Sequence, residues 1–249
     1  MGQIANQMFV EWCYKIAQNI GRNKGVPCNK KSSTDNLSLA TGEEGLADHQ
    51  ITKVYFVRHA QPEHMWEDDR TRPLTAEGRK DTKIVTDFLA NKGIDVFYSS
   101  PYKRSFDTIA DTAVCYGKDI IVDERLRERE KGINGNEYGM LEKRWADHDY
   151  CEENGESLNM VQRRNIEALT EILDKNQGRK VVIATHGTAL STILHYYHSD
   201  FGCKDFLRII DWMPYLIELD FDGNKLLAEK EHCYVEKVFA GKKRADKME

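Results

Sequence analysis

Two apolar runs far apart in the chain each end on a histidine. Val54-Tyr55-Phe56-Val57 runs into Arg58-His59, and Val181-Val182-Ile183-Ala184-Thr185 runs into His186-Gly187. Both read as short strands. In an open parallel sheet the carboxyl ends of the strands line the ligand crevice. A fold that sets these two strands in one sheet brings two imidazoles and a guanidinium to one crevice. That set suits an anionic phosphoryl group, with one imidazole free to attack it.

The pattern around these runs supports such a sheet. Strands are expected over 53–57, 96–99, 120–122 and 181–185, and Asp222-Gly223 marks a hairpin between 216–220 and 225–231. Thr75 caps an expected helix over 76–91 with Ile84, Val85, Phe88 and Leu89 on one face. Ser100 as N-cap and Pro101 as first residue open a helix that runs to 115. A short helix is expected over 141–147. Ser157 caps another to 174, buried through Ile166, Leu169, Ile172 and Leu173, and a further helix covers 188–197. Strands alternating with helices, with a late hairpin, predict an α/β domain of three αβα layers with a mostly parallel central sheet.

The chain has 249 residues, enough for one large domain plus an extension. Its net charge of −5 argues against a nucleic-acid or polyanion partner for the whole chain. The six cysteines (Cys13, Cys28, Cys115, Cys151, Cys203, Cys233) are scattered with no C-x-x-C pair, which reads as reduced thiols and a cytoplasmic location. No apolar run approaches a membrane span. The N-terminus lacks a basic stretch followed by an apolar one, so no signal peptide is expected. Asn6 stands where a myristoylation signal needs Ser or Thr.

Composition breaks near Gln50. Phe9, Trp12, Cys13, Ile16 and Ile20 fall at helical spacing, so residues 4–21 read as an amphipathic helix, and 21–50 read as a polar linker. The expected organisation is therefore an extension over 1–50, a domain over 51–240 and a polar tail over 241–249. The helix has few cations (Lys15, Arg22, Lys24), which favours docking on the domain over a membrane surface and names no partner for it.

Four short motifs carry a family resemblance: Val57-Arg58-His59-Ala60, Ser99-Ser100-Pro101-Tyr102-Lys103-Arg104, Leu126-Arg127-Glu128 with Gly132 after it, and Thr185-His186-Gly187. In this order and spacing they resemble the histidine phosphatase superfamily, the phosphoglycerate mutase-like fold. The resemblance covers residues 53–238 and leaves the first fifty unexplained. It implies a phosphomonoester hydrolase that works without a metal or other cofactor on a small phosphorylated substrate.

The resemblance also implies roles for individual residues. His59 would be the nucleophile that forms a phosphohistidine. Arg58 and Arg104 would clamp the phosphoryl oxygens, since guanidinium forks match them and stay charged. His186, if protonated, would stabilise charge on the transferring group. Gly187 would let the chain turn tightly and approach the ligand. Gln61 would supply a neutral phosphate contact. Glu128 would be the general acid and then the general base, with Glu124 and Glu130 left as solvated neighbours in the run Asp123-Glu124-Arg125-Leu126-Arg127-Glu128-Arg129-Glu130-Lys131.

Ala60 stands where many members of that family have Gly, and Met65 where many have Asn; His64 is a candidate to replace the lost contact, and Trp66 a lid or core residue. His195 and His198 are three apart on an expected helix, with no third ligand in sequence to make a metal site. No P-loop or G-x-G-x-x-G occurs. Two other readings stand beside hydrolysis. A phosphoglycerate-type mutase would need a closed basic pocket from 132–156, which beyond Lys143 and Arg144 is largely acidic and neutral. A non-catalytic phosphate-binding module would have no use for all of Arg58, His59, Arg104, Glu128 and His186.

Overall fold

The computed structural model describes residues 50–237. The helix expected over 4–21, nearly all of the polar stretch over 21–50 and the tail over 241–249 lie outside the described residues.

Six strands form one sheet in the order β3-β2-β4-β1-β5-β6. They are β1 (Thr52–Arg58), β2 (Val96–Ser99), β3 (Ile120–Val122), β4 (Lys180–Thr185), β5 (Trp212–Asp222) and β6 (Lys225–Glu236). The pairs β3–β2, β2–β4 and β4–β1 are parallel, while β5 runs antiparallel to both β1 and β6. The helices are α1 (Ala76–Leu89), α2 (Lys103–Cys115), α3 (Met140–Ala146), α4 (Leu158–Lys175), α5 (Gly187–Tyr197) and α6 (Cys203–Ile209). The mixed, mostly parallel sheet with helices on its faces is the expected architecture.

Strand alternation builds the layers. Val54 and Phe56 of β1 pack with Ala168, Leu169, Ile172 and Leu173 of α4 and with Leu190, Ile193 and Leu194 of α5. Tyr55 and Val57 pack with Val85 and Leu89 of α1 and Ile109 and Ala113 of α2. Each fully buried large side chain contributes about 1.5–3 kcal/mol, so the central strands that carry the histidines are anchored from both faces.

Thr75 caps α1 as expected, accepting the Gly78 N–H at 2.8 Å. The buried stripe, however, is Gly78, Thr82, Val85 and Leu89; Ile84 is exposed. The small residues Gly78 and Thr82 take the inner face, so apolar periodicity alone misplaced it. Ser157 caps α4, accepting from Met160 N–H at 3.2 Å, while Ile166 is only partly buried against the core. Neither Ser100 nor Pro101 opens α2. Tyr102 is its N-cap, and Ser100 Oγ accepts the Tyr102 N–H at 3.2 Å in an extended lead-in. The helix α6 was not anticipated: it is short, buries only Phe206 and Ile209, and starts where Asp205 accepts the Gly202 N–H at 2.9 Å. The hairpin turns at Gly223, with φ of 53°, but its strands extend well beyond the expected bounds.

Candidate active site

The ladder between β1 and β4 places Arg58 opposite Thr185. His59 N–H donates to Thr185 O at 3.1 Å, so the pairing runs one residue further and the histidine leaves the sheet in fixed register. Beside it, Ser100 N–H donates to Ala184 O at 3.0 Å, bringing the end of β2 to the same level. His186 follows the last residue of β4 and caps α5. The rings of His59 and His186 meet edge to face with centroids 5.2 Å apart.

His59 Nδ1 lies 2.8 Å from the carbonyl oxygen of Ala60. A carbonyl only accepts, so Nδ1 carries the proton and Nε2 presents a lone pair. Burial drives the His59 pKa well below the ordinary histidine value, and the charges of Arg104 and Arg58 push it further the same way. The ring is neutral near pH 7, the form a nucleophile needs. Ala60 in turn donates its N–H to Thr108 Oγ1 at 2.9 Å, and that hydroxyl donates to Arg104 O at 2.7 Å. Thr108 thus ties the loop after β1 to α2.

His186 Nε2 stands 2.7 Å from Ser100 Oγ, and its ring is 5.1 Å from that of Tyr102. Burial, then the charges of Arg104 and His59, hold its pKa well below the usual value. With no anion beside it, this environment favours the neutral ring.

Arg58 is buried and donates from Nη1 to Ile209 O at 2.6 Å and from Nη2 to Ile210 O at 2.9 Å, at the end of α6. Gly187 packs flat against this guanidinium: a Cβ there would lie 3.1 Å from Arg58 Cζ and Nη2. Gly187 has no positive φ. It is needed for room beside Arg58, not for the tight turn expected from sequence.

Arg104, on the first turn of α2, is 3% exposed. It donates to Asp69 O at 2.6 Å and lies 3.4 Å from the Asp69 carboxylate, which Arg72 also pairs at 2.7 Å. The guanidinium stacks over Tyr102, 4.9 Å from the ring centre.

Glu128 is half-buried beyond a single 3₁₀ turn, Glu124–Leu126. Its carboxylate accepts the Thr188 N–H at 3.1 Å, the Ala189 N–H at 3.2 Å and the Arg129 N–H at 2.8 Å. It thereby fills the orphan donors at the start of α5, where a negative charge is favoured. Its charge also reaches Arg104. Glu124 and Glu130 are exposed. The first is held by Arg70 at 2.7–2.9 Å, and the second lies 3.4 Å from Arg127.

The region from Val54 to Leu227 matches the family model described as "Histidine phosphatase superfamily (branch 1)", over residues 54–227. The chain belongs to this superfamily. A probable phosphoglycerate mutase GpmB of an Enterobacter species is 29% identical over 167 residues, 58% of this chain and 74% of that protein. Phosphoserine phosphatase 1 of Hydrogenobacter thermophilus is 28% identical over 153 residues, 55% of this chain and 71% of that protein. Among solved structures, YhfR of Bacillus stearothermophilus superposes with a TM-score of 0.61 at 25% identity, covering 71% of this chain and 94% of that one. This histidine phosphatase is accordingly an enzyme, a phosphomonoester hydrolase of the superfamily's phosphatase branch, with a small phosphorylated substrate.

The remaining candidates have the following surroundings in this histidine phosphatase. Gln61 is tied to the start of α1 through its oxygens: its Oε1 accepts from Thr75 Oγ1 at 3.1 Å and its main-chain oxygen from Thr75 N–H at 2.9 Å. His64 stands near enough to add to the pKa depression of His59. Trp66 is half exposed and donates to Thr71 Oγ1 at 3.2 Å within its own loop. His195 donates from Nδ1 to Phe201 O at 2.8 Å, whereas His198 lies 3.0 Å from Glu229 on β6. Among the described residues no group of His, Cys, Asp or Glu is placed to hold a metal ion, and no helix is long and apolar enough to cross a membrane.

Four residues with a part in the site were not singled out for it from sequence. From sequence, Ser100 reads as a helix cap, Thr108 as part of a helix, and Asp69 carries no distinguishing signal. Arg164 had no distinguishing neighbour. Arg164 and Glu156 join the backbone at 125–130, the end of the 3₁₀ turn and the irregular stretch after it, to α4. Glu156 is buried and accepts from Arg164, from Arg127 at 2.7 Å and from Glu130 N–H at 3.1 Å. Gly132, with φ of +64°, closes this loop: a Cβ there would lie 2.6 Å from Glu153 O.

Proposed function

We propose that His59 attacks the phosphorus of a phosphate monoester through Nε2, forming a phosphohistidine as the ester P–O bond breaks. The observation that carries this is the His59 Nδ1–H bond to Ala60 O at 2.8 Å, which fixes the tautomer with Nε2 as the nucleophile. Arg104 and Arg58 bind the phosphoryl oxygens, with Arg104 exchanging its Asp69 contacts for them. Glu128 in its protonated form gives its proton to the leaving oxygen, which departs as an alcohol. The carboxylate then takes a proton from water as that water attacks the phosphohistidine, releasing inorganic phosphate and restoring Nε2 and the acid. His186, neutral before substrate binds, gains a reason to hold a proton once a phosphate dianion lies beside it.

Hydrolysis is favoured over transfer to a second hydroxyl by the segment 132–156. Its cations are already engaged. Arg144 is buried against the Glu152 carboxylate and donates to Gly135 O at 3.0 Å, while Lys143 sits over the Tyr150 ring at 3.8 Å. The basic wall that a mutase would need against a second anionic ligand is not supplied there. The names of the relatives divide between mutase and phosphatase.

A screen of phosphate esters read out by free phosphate tests the activity, and rapid quenching with labelled substrate tests the intermediate. Acid-labile, base-stable label on His59 is the expected result. Label on no residue, or on a residue other than His59, overturns the mechanism. Activity is also expected to survive exhaustive chelation; loss restored by one divalent ion would place the chemistry in another class.

A further inference from the structure

Arg164 lies on α4, a helix to which no substrate contact is assigned. All five of its N–H groups are used. Nη1 donates to Arg125 O and to Arg127 O, both at 2.7 Å, and Nη2 donates to Glu128 O at 3.1 Å. The remaining donors grip the Glu156 carboxylate, Nε at 2.9 Å and Nη2 at 2.8 Å. The Arg164 side chain is 11% exposed and that of Glu156 is 7% exposed.

Three carbonyls of one irregular segment thus converge on one guanidinium. That segment has no strand ladder and no helix to hold it after Leu126. Glu128 is gripped at both ends. Its main chain is fixed to α4 by Arg164, and its carboxylate is fixed to the start of α5 by Thr188 and Ala189. A bare surface loop would need neither grip. The charge of Arg164 also reaches His186.

We propose that Arg164 is a positioning residue for the Glu128 carboxyl. Its guanidinium, oriented by Glu156, sets how far the proton donor reaches toward the leaving oxygen. The proposal rests on the reading of Glu128 as the general acid. Planarity is the essential property. A lysine at this position keeps the charge but cannot serve three carbonyls and a bidentate carboxylate at once.

The test compares an alkyl phosphate, whose leaving group needs a proton, with an activated aryl phosphate, whose leaving group does not. kcat/KM on both is measured for the full chain, Glu128→Gln, Arg164→Lys, Glu156→Gln and the double variant Glu128→Gln/Arg164→Lys, with thermal unfolding alongside. Arg164→Lys is expected to lose about 10-fold or more on the alkyl ester while staying within about twofold on the aryl ester, because a small misplacement of a reacting group is costly only where that group acts. The double variant should lose no more on the alkyl ester than Glu128→Gln alone, since the group that Arg164 positions is then gone. An equal loss on both esters, or additive losses in the double variant, would mean that Arg164 only stabilises the segment and overturns the proposal. If Glu128→Gln itself leaves the alkyl-to-aryl ratio unchanged, the reading of Glu128 fails and the proposal with it. Should Arg164→Lys not fold, Glu156→Gln reads the same ratio: a fall supports the proposal, and an unchanged ratio overturns it.

Discussion

His59 and His186 leave neighbouring parallel strands one step past a continuous ladder, with Arg58 opposite Thr185. Glu128 sits in irregular backbone after a single 3₁₀ turn, and its position depends on α4, on α5 and on Glu156. The first region is held by main-chain hydrogen bonds that nearly any side chains would make. The second has main-chain bonds only at its ends, from Arg127 N–H to Glu124 O and from Glu156 N–H to Glu130 O, and between them it is held by one guanidinium and a set of helix-end N–H groups. The nucleophile is thus placed by the fold, and the acid is placed by particular side chains. Replacing a histidine side chain should act through chemistry alone, since the ladder beneath it is main chain, while a substitution near Glu128 can act through geometry as well.

The widest difference between the regions is expected at the nucleophile. His59→Ala should lower kcat on every phosphate ester by on the order of 10⁴-fold or more, since the covalent step has no substitute. Because the backbone bond from His59 N–H to Thr185 O survives the change, the protein should stay folded. Steady-state kinetics on a purified, folded variant decides it; full activity would remove His59 from the mechanism.

At the acid, the effect should be selective. Glu128→Gln is expected to slow alkyl phosphates by about 10²–10⁴-fold and activated aryl phosphates far less, the signature of lost general-acid catalysis. Glu124→Gln and Glu130→Gln should change little on either substrate, because both side chains are exposed and one partners Arg70 while the other lies beside Arg127. Equal small effects at all three positions would erase the contrast and send the search for the acid elsewhere.

The same contrast explains what could be read from sequence. The two strands with histidines at their ends were legible because a short apolar run and its last residue are local features, and the parallel register between them follows once both lie in one sheet. The choice of Glu128 within a charged run follows from the family resemblance, whose acid motif it matches in its spacing from Leu126 and Gly132. The structure separates it from Glu124 and Glu130 by burial and by its three N–H donors. What holds it was not legible. Arg164 is 36 to 37 residues, and Glu156 26 to 29 residues, from their partners in the 127–130 segment, and neither stands out from other helix and loop charges. The start of α2 misled for a different reason. Ser100-Pro101 carries the local signals of a helix start, but Ser100 is still tied to the end of β4 and faces His186. Tertiary pairing overrode the local preference there, as it did on α1, where Gly78 and Thr82 displaced Ile84 from the buried face.

A smaller effect is expected where packing meets the histidine region. Gly187→Ala would set a methyl 3.1 Å from the Arg58 guanidinium, which is itself fixed by the Ile209 and Ile210 carbonyls. Overpacking of this kind costs about 1–3 kcal/mol. Thermal unfolding should show the loss, and KM should rise with it as Arg58 shifts. A variant as stable as the parent, with unchanged KM, would show that Arg58 moves freely and that this part of the site is less rigid than its hydrogen bonds imply.

The smallest predicted effect concerns protons. Both imidazoles are buried, and both are held neutral well below the ordinary histidine range, first by burial and then by nearby cations. In the unfolded chain they should titrate near the usual value of about 6.5. As pH falls through that value the unfolded state takes up protons that the native state refuses, so it is favoured. Stability from these two rings is therefore fully present above about pH 6.5 and is lost as pH falls toward the depressed native values, at a slope of up to about 1.4 kcal/mol per pH unit for each ring. Carboxylates with lowered pKa, such as Glu156 and Glu218, add a slope of the same sign, at lower pH. The informative measurement is thus a difference. Denaturant unfolding between pH 7 and pH 5 should show a shallower loss for His186→Gln than for the parent, by at most the slope of one ring. An identical slope would mean that His186 already carries its proton in the native protein. The two histidines would then differ in charge before any substrate arrives, and His186 would be a standing cation for the phosphoryl group.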